Sequence, residues 1–454
     1  MYPVRSHARA RGASPEDLGG ATSYGMYKLA QIVVEILAKL YLWRFKPEII
    51  AITGNVGKTS TKEAIGLVLG KVKKVRIGGG NLNNEVGLPF NIISDSSNEY
   101  YEKGGSLIFG IKSFFKAIFG FFNSNYPEVL VLEYGADRPG DIKKLARKYK
   151  PHISVVTAVG EIPVHVEYFS DPDAVAREKS KLVSVLGSTD HAILNHDDPM
   201  VYDMKEKTKA RVMSYGFMEG ATVGLSNFDF RLDGEQGPEG VGFKIHYGGN
   251  SFVPVSLHGV LGKSQALAAG AATCVGVIYG MNLIEISQAL ADYKGPKGRL
   301  KILKGIKNSV IIDDTYNAAP ASTHLALETL KHLSAKRRIS VLGDMLELGK
   351  YTIEAHEEMG NFAGSISDIL VTVGARAKFS AYSAGNQMDQ KNIYSFVNSE
   401  LAKLKVQELI EEGDLVLVKG SQGMRMEKIV EEIMAEPERK KELLVRQGKK
   451  WLKT

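Results

Sequence analysis

Residues 52–60, Ile-Thr-Gly-Asn-Val-Gly-Lys-Thr-Ser, have the types and spacing that bind phosphate. A phosphate site needs converging backbone N–H groups, a helix N-terminus and one cation. Gly54 and Gly57 let the backbone wrap closely, Lys58 can reach the β- and γ-phosphates, and the Thr59 hydroxyl can bind Mg²⁺. An apolar strand precedes this stretch and a helical pattern follows it, so we predict a nucleotide phosphate site. Its residues are Thr53, Gly54, Asn55, Val56, Gly57, Lys58, Thr59 and Ser60.

A single carboxylate, Glu133, lies near the end of the apolar run 129–135. Open parallel sheets bind ligands beyond the carboxyl ends of their strands, and carboxylate oxygens are the ligands that Mg²⁺ prefers. Glu133 is therefore a candidate ligand of the same metal ion. A solvated or helix-capping carboxylate is the alternative for a lone residue of this kind.

Composition limits the classes of protein to consider. The chain has 454 residues, 44% hydrophobic and 24% charged, which is typical of globular domains and excludes disordered, collagen-like and coiled-coil chains. Lys and Arg exceed Asp and Glu by 58 to 51, and this net charge of +7 suits a phosphate-bearing ligand. No long basic run is present, so we predict no nucleic-acid partner. The single cysteine, Cys274, excludes a disulfide framework and indicates a reducing compartment.

Strand and helix patterns alternate from Pro47 onward. Short apolar runs predict buried parallel strands, and Gly-rich alternation at 215–257 predicts antiparallel strands at the sheet edge. An Ala-rich helix is predicted at 264–278 and a linker at 294–303. Strands separated by helices form βαβ units, so the sequence predicts an α/β protein. The predicted strands are 48–53, 129–135, 153–159, 192–195, 309–314, 338–344, 368–374 and 414–420.

Several motifs follow the phosphate loop in a specific order. Together they resemble the Mur ligases, the ATP-dependent amide-bond-forming enzymes of peptidoglycan precursor synthesis. The later blocks are most similar to the member that adds D-alanyl-D-alanine to UDP-MurNAc-tripeptide. The resemblance covers about residues 47–435. Its motifs are Thr-Gly-x-x-Gly-Lys-Thr at 53–59, Asn-Leu-Asn-Asn-Glu-Val-Gly-Leu-Pro at 81–89, Glu-Tyr-Gly-Ala at 133–136, Asn-His-Asp-Asp at 195–198, Asp-Asp-Thr-Tyr-Asn-Ala-Ala-Pro at 313–320, Gly-Asp-Met-Leu-Glu-Leu-Gly at 343–349, His356, and Lys-Gly-Ser at 419–421.

The resemblance implies fold, domains and chemistry. A tail and amphipathic helix at 1–46 would precede a central P-loop ATPase-type parallel-sheet domain at 47–296. A Rossmann-like C-terminal α/β domain would occupy 297–454. ATP and Mg²⁺ would be the cofactors. A peptide carboxylate would attack the γ-phosphate, and an amine would then displace phosphate from the acyl phosphate. The partners would be a nucleotide-peptide substrate and an amino-acid or dipeptide amine.

Roles for individual residues also come from the resemblance. The metal ligands would be Thr59, Glu133, His165 and Lys179, the last as a carbamate, with Lys181 the competing assignment for that lysine. Lys58, His165, Lys179 and Arg299 would form the catalytic set, with Arg299 crossing from the second domain to the γ-phosphate. Asp314 would hold the ribose and Asn317 would lie near the phosphates. The substrate-binding residues would be Asn83, Asn84, Lys419 and Ser421.

The chain departs from the family pattern in the stretch 161–165, before and at His165, and in three further places. The asparagine that reads adenine is not found in the stretch 257–259, which reads Leu-His-Gly. Only 46 residues precede Pro47, where related ligases have a folded domain for the UDP end of the substrate. The connection from Asp95 to Asn125 is longer than usual. Another cell-envelope amide ligase of the poly-γ-glutamate type, or a non-catalytic nucleotide-binding scaffold, therefore stays open.

Two amphipathic stretches, at 26–46 and 106–122, carry apolar residues at helical spacing with lysines between them. Both are too short and too charged to span a bilayer. They either pack on the protein or contact a membrane surface. We expect a cytoplasmic monomer, with peripheral contact to the inner face of the membrane as the open alternative. Residues 1–25 are predicted to be a disordered tail.

Overall fold

The computed structural model describes residues 21–80, 82–94, 119–122, 125–136, 138–161, 166–232, 237–249 and 251–452. In these ranges the chain forms two sheets in succession. The first has nine strands in the order β2-β3-β1-β4-β5-β6-β7-β8-β9. The second has six strands in the order β10-β11-β15-β12-β13-β14. The predicted α/β class and its two successive parallel-sheet units are confirmed.

The first sheet is parallel from β2 to β7 and antiparallel from β7 to β9. The predicted antiparallel edge is therefore confirmed. Its strands are β1 Glu48–Thr53, β2 Val75–Ile77, β3 Val129–Glu133, β4 Ile153–Val156, β5 His191–Asn195, β6 Arg211–Gly216, β7 Val223–Leu232, β8 Pro238–His246 and β9 Phe252–His258.

The second sheet is parallel except for β10, which pairs antiparallel with β11. The prediction that 294–303 is only a linker was wrong for its last residues, because β10 begins at Lys301. The lysines at both of its ends, in Lys-Ile-Leu-Lys, suit an edge strand. The strands are β10 Lys301–Lys304, β11 Val310–Asp314, β12 Arg338–Gly343, β13 Ile369–Val373, β14 Ile393–Phe396 and β15 Leu415–Lys419.

Helices cover both faces of the sheets. In β1, Ile50 and Ile52 belong to one buried cluster whereas Ile49 and Ala51 belong to another. Side chains alternate across a strand, so a continuous apolar run is buried on both sides. The helices are α1 Ala21–Phe45, α2 Lys58–Leu69, α3 Gly87–Ile93, α4 Asp141–Lys148, α5 Pro172–Ser184, α6 Pro199–Tyr202, α7 Lys263–Ile278, α8 Leu283–Ala291, α9 Pro320–His332, α10 Thr352–Ile366, α11 Lys378–Ala384, α12 Ser399–Leu409, α13 Glu427–Ile433, α14 Lys440–Leu443 and α15 Lys449–Leu452.

The structure describes the first predicted amphipathic stretch in full and the second only in part. The first is α1, and it begins at Ala21, so the prediction of a disordered tail was wrong for residues 21–25. Of the second, at 106–122, only residues 119–122 are described and are helical; the rest lies outside the described residues. Of the helices in the described ranges, none combines the length and apolarity needed to cross a bilayer.

Candidate active site

The loop between β1 and α2 is shaped by two glycines with positive φ. Gly54 has φ +143°, and a Cβ there would lie 1.9 Å from Thr157 Oγ1. Gly57, with φ +87°, is the residue from which α2 starts. The Asn55 amide donates to Ala158 O at 2.7 Å, which fixes the loop against the chain after β4. Glycine suits both positions, because its backbone adopts positive φ without a steric penalty.

The first turn of α2 supplies the phosphate-binding groups that the sequence predicts. The first N–H groups of a helix have no acceptor within it, and they carry the positive end of the helix dipole. Lys58 and Thr59 are half-buried at this turn, so a ligand can reach them. The Lys58 ammonium lies 2.7 Å from Gly54 O, folded over its own loop. The geometry can hold a phosphate chain, and the assignment of the individual loop residues stays a prediction.

Glu133 ends β3 beside this loop, with Ile52 of β1 as its register partner. Its carboxylate is 7% exposed and lies 2.9 Å from the ammonium of Lys62, which is 5% exposed. Burial alone would raise the pKa of Glu133, but the Lys62 and Lys58 charges outweigh it and lower that pKa below its ordinary value. The carboxylate is therefore ionised.

The Glu133 site fits Mg²⁺. Although Oε1 faces the Lys62 charge, it accepts no hydrogen bond of acceptable geometry from the described residues. A buried anionic oxygen without a hydrogen bond is costly unless a further ligand completes its shell. The Thr59 hydroxyl is close enough to lower the pKa of Glu133 by hydrogen bonding. A carboxylate and a hydroxyl beside a phosphate loop are the protein ligands that Mg²⁺ takes in nucleotide sites.

The remaining metal predictions are less constrained. His165 lies outside the described residues. Lys179 is 2% exposed within α5, so it is not the surface lysine that its charged surroundings suggest. Lys181, the competing assignment, instead pairs with Glu178 at 2.5 Å and is 37% exposed. No cluster of three or more His, Cys, Asp or Glu side chains occurs in the described ranges, so any site there combines other ligands.

A second buried ion pair lies at the carboxyl ends of β11 and β15. The Lys419 ammonium is 2.5 Å from Asp314 Oδ2, and these side chains are 1% and 6% exposed. Lys419 also donates to Asn317 O at 3.0 Å, and the Leu300 amide donates to Asp314 Oδ1 at 3.3 Å. Both partners are thus satisfied by the protein. The Lys419 ammonium points at Asp314 and the loop that follows it. Its predicted contact with an incoming amine therefore stays a prediction.

Ser421 and Asn317 join neighbouring loops at the edge formed by the carboxyl ends of β11 and β15. The buried Ser421 hydroxyl accepts from the Leu346 amide at 2.9 Å and donates to Ala318 O at 3.3 Å. The side chain of Asn317 accepts from the Gln422 amide at 3.2 Å. The structure brings these predicted residues together with Asp314 and Lys419. Their contacts bind loop to loop, so they position this edge whether or not they also contact substrate.

Arg299 connects the two sheets. Its guanidinium lies over the Tyr316 ring at 4.2 Å from the centroid, and its carbonyl accepts from Gln265 Nε2 at 2.9 Å. Arg299 lines a cleft with Gly57 of the phosphate loop and Asp314 of the second sheet. Val56, Ser60, Ser264, Gln265, Leu300, Ser322 and Leu325 complete the lining.

The asparagines predicted to bind substrate lie before α3. Asn84 Oδ1 accepts from the Gly87 amide at 2.9 Å and caps that helix. Asn83 accepts from the Gly135 amide through its carbonyl at 2.8 Å, two residues beyond Glu133. This bond sets the Asn83 side chain against Gly135, since a Cβ on Gly135 would lie 2.8 Å from Asn83 Cγ. Asn84 is more exposed than Asn83, but its side-chain oxygen already accepts a hydrogen bond from the Gly87 amide.

Comparison with known proteins agrees with this geometry. Residues 115–275 match the Mur ligase middle domain, and residues 298–422 match the Mur ligase glutamate ligase domain. The UDP-N-acetylmuramoyl-tripeptide–D-alanyl-D-alanine ligase of Rickettsia prowazekii is 30% identical over 410 residues, which cover 87% of this chain and 81% of that protein. The chain belongs to the Mur ligase family.

Other Mur ligases are similar over comparable lengths. The Bacillus subtilis enzyme of the same name is 29% identical over 88% of this chain and 79% of its own. The MurF ligase of Thermotoga maritima, whose structure contains ADP, aligns with a TM-score of 0.73 and 25% identity. It covers 90% of this chain and 84% of its own. The predicted family and the fold that it implies are both confirmed.

Sequence reasoning missed two charged residues of this Mur ligase site. Lys62 contacts Glu133, and the half-buried Glu63 beside it has its pKa raised to about 7, chiefly by burial. The spacing could have revealed Lys62, because it follows Lys58 by four residues and so shares its face of α2. Nothing in the sequence shows that β3 would bring Glu133 to that face.

Proposed function

We propose that this Mur ligase joins D-alanyl-D-alanine to UDP-MurNAc-tripeptide, using ATP and Mg²⁺. The observation that carries the proposal is the cleft in which Gly57 of the phosphate loop faces Arg299 and Asp314. Glu133 is buried against Lys62 of the helix that follows this loop. The relatives from Rickettsia prowazekii and Bacillus subtilis carry this activity in their names. The ADP held by the Thermotoga maritima relative supports the nucleotide.

The first step is phosphoryl transfer to the peptide carboxylate. The carboxylate oxygen attacks the γ-phosphorus, the bond to the β-phosphate oxygen breaks, and an acyl phosphate and ADP result. Two anions must approach each other, so catalysis is mostly positioning and charge neutralisation. Lys58 and the first amides of α2 hold the phosphates from one side, and Arg299 reaches them from the second sheet. Bound Mg²⁺, held by Glu133 and Thr59, would neutralise further phosphate charge.

The second step is amide formation. The amino group of D-alanyl-D-alanine attacks the acyl carbon, and the tetrahedral intermediate expels phosphate while the nitrogen loses a proton. Asn83, beside Gly135, and Asn84 border the edge at which the peptide carboxylate would lie. The β15 loop with Lys419 and Ser421 borders the second sheet's edge. The two substrates would therefore enter from opposite sides of the cleft.

Phosphate release tests the proposal. We expect ATP hydrolysis to require UDP-MurNAc-tripeptide and D-alanyl-D-alanine together, with Lys58→Ala as the inactive control. Release that requires a different carboxylate and amine would reassign the substrates to another cell-envelope ligase. No release with any pair, together with undiminished ADP binding, would favour a nucleotide-binding scaffold.

We also propose that the enzyme acts in the cytoplasm as a monomer and touches an anionic membrane surface through α1. Four apolar side chains of α1 form one stripe and are each more than 40% exposed, with Trp43 at 72%. The opposite side of the helix is anchored, because Tyr41 is buried and Glu35 pairs with Lys148 at 2.7 Å. The stripe consists of Ile32, Ile36, Leu40 and Trp43.

Neighbouring residues favour an anionic surface. Phe119 and Phe122, each 73% exposed, lie beside the cluster in which Phe121 contacts Tyr41. Exposed basic residues border the stripe, and the exposed lysines of α4 continue the charge beyond Lys148. Apolar side chains ringed by cations are the features of interfacial helices. The basic residues of α1 and its end are Lys28, Lys39, Arg44 and Lys46.

Trp43 can report this contact, because Trp451 is the one other tryptophan in the chain. In a Trp451→Phe background we expect the emission of Trp43 to shift to the blue with vesicles containing phosphatidylglycerol, but not with phosphatidylcholine alone. Ile36→Gln with Leu40→Gln should abolish vesicle binding. Leu401→Gln with Leu404→Gln, equally exposed on α12, should not. Absence of any shift, or self-association that the α1 variant removes, would contradict the membrane proposal.

A further inference from the structure

The contact between Lys62 and Glu133 is unusual for its position. Lys62 lies one helical turn after the phosphate-loop lysine, and its side chain is 5% exposed. A lysine buried this deeply needs an anionic partner, and Glu133 Oε1 at 2.9 Å is that partner. The same oxygen is the one that lacks a hydrogen bond of acceptable geometry. The pair is therefore electrostatic, and the carboxylate remains open to another cation.

Distances show that Mg²⁺ and Lys62 conflict at this oxygen. Mg²⁺ binds carboxylate oxygens at about 2.0–2.1 Å. With Nζ at 2.9 Å from Oε1, the two cations could lie at most roughly 5 Å apart, the sum of the two distances. Charges of +2 and +1 repel strongly at that separation in a buried site. At this one oxygen the repulsion therefore favours one cation over the other, unless a phosphate group lies between them.

The other buried pair, Lys419 with Asp314, is held by further hydrogen bonds. Lys419 has Asn317 O as a further acceptor, and Asp314 has the Leu300 amide as a further donor. No second bond of this kind to a described residue holds Lys62. Lys62 is also borne on the helix whose first turn binds phosphate, so a small movement brings its ammonium to an anionic ligand.

We infer that Lys62 is an exchangeable counter-ion of Glu133: it aims the carboxylate in the empty enzyme and yields it to Mg²⁺ when the nucleotide arrives. Its ammonium then turns to the phosphate groups. Lys62 is thus a positioning residue for metal binding. The inference rests on the metal-dependent ligation proposed above, and its tests require no turnover.

Stability in the absence of ligands tests the first half. We expect Lys62→Met to lower the urea midpoint of unfolding, because it leaves Glu133 buried and unpaired. Lys62→Met with Glu133→Gln should recover at least half of that loss. Lys71→Met, which removes an exposed pair with Asp292 just beyond the end of α2, should change the midpoint little. A double variant no more stable than Lys62→Met would overturn the inference.

Calorimetric titration with Mg²⁺ alone, at pH 8, tests the exchange. We expect Lys62→Met to bind Mg²⁺ about tenfold more tightly than the parent, since no ammonium competes for Oε1. A purely structural Lys62 would leave the affinity unchanged or weaken it, and either result would overturn the inference. If Glu133→Gln also leaves Mg²⁺ binding unchanged, the metal site itself fails. If only Glu133→Gln weakens it, the metal site stands and the role of Lys62 does not.

Discussion

The two sheets each bury one lysine–carboxylate pair at the edge that faces the cleft, and the pairs differ in how completely they are satisfied. Asp314 and Lys419 have further hydrogen bonds to the chain, so their pair is closed. Glu133 has an oxygen without a hydrogen bond, so its pair with Lys62 is open. Similar chemistry therefore serves two purposes. The closed pair holds loops together, and the open pair is the one that we propose to bind the metal.

This difference matches the construction of the two edges. The first edge places its phosphate-binding groups on one contiguous loop and helix turn, and adds Glu133 from β3. The second edge is assembled from loops about a hundred residues apart, as the separation of 105 between Asp314 and Lys419 shows. An edge built from distant loops needs internal bonds to hold its shape, whereas the phosphate loop is one short segment that the Asn55 amide joins to Ala158 O.

Lys58→Ala should have the largest effect. It tests the edge of the first sheet, which carries the phosphate loop and the open pair. Removing the cation that neutralises the transferring phosphoryl group should reduce kcat/KM by about a thousandfold, roughly 4 kcal/mol. The melting temperature should change little, because Lys58 is half-exposed. Initial rates of phosphate release and a thermal melt are the measurements. Turnover within tenfold of the parent would remove Lys58 from the phosphate site.

Lys419→Met should remove the closed pair and destabilise the second sheet. Leaving Asp314 buried without its partner costs about 3–5 kcal/mol in comparable cases. Urea unfolding followed by far-UV circular dichroism measures the loss. Lys419→Met with Asp314→Asn should regain much of it, because no unpaired charge remains. A Lys419→Met protein as stable as the parent would show that this pair does not hold the edge.

Sequence reasoning located the two edges differently. The conformation of the loop was predictable from contiguous residues, because Gly54 and Gly57 act through local backbone geometry, whereas its binding of phosphate stays a prediction. Lys419 and Ser421 were found as motif residues, yet their burial and loop contacts depend on tertiary packing that no local pattern encodes. Lys62 was missed although it follows Lys58 by one helical turn, because its contact with Glu133 is a tertiary one. It reads as an ordinary helix lysine until β3 places Glu133 beside it.

The strand predictions show the same limit. Long apolar runs such as 48–53 were correctly predicted as strands. The short strands β2, at 75–77, and β14, at 393–396, were missed, and neither contains a buried residue. An edge strand with partly solvated side chains lacks the continuous apolar run by which inner strands are recognised.

His356 should make the stability of the second sheet, which carries the closed pair, decrease in acid. Its buried ring accepts from the Met345 amide at 3.0 Å and donates to Thr352 O at 2.6 Å, and burial lowers its pKa below the ordinary value. The unfolded chain therefore takes up the proton first as pH falls below about 6.5, and stability is lost from there downward.

Urea midpoints measured between pH 8 and pH 5 check this expectation. His356→Gln should lose on the order of 1 kcal/mol at pH 8, comparable to one buried hydrogen bond. Its midpoint should then fall less than that of the parent as the pH decreases. Parallel pH profiles for the two proteins would contradict a neutral, structural His356.

Mg²⁺ binding to the two carboxylate variants tests the difference between the edges most directly. Calorimetry with Mg²⁺ in the presence of saturating ADP would compare Glu133→Gln with Asp314→Asn, each alongside its urea midpoint. We predict that Glu133→Gln weakens Mg²⁺ binding at least tenfold, about 1.4 kcal/mol, and also lowers the urea midpoint, because buried Lys62 loses its anionic partner. Asp314→Asn should lower the urea midpoint and leave the Mg²⁺ affinity close to that of the parent. Equal Mg²⁺ affinity for Glu133→Gln and the parent, or a greater loss in Asp314→Asn, would contradict the assignment of the open pair to the metal.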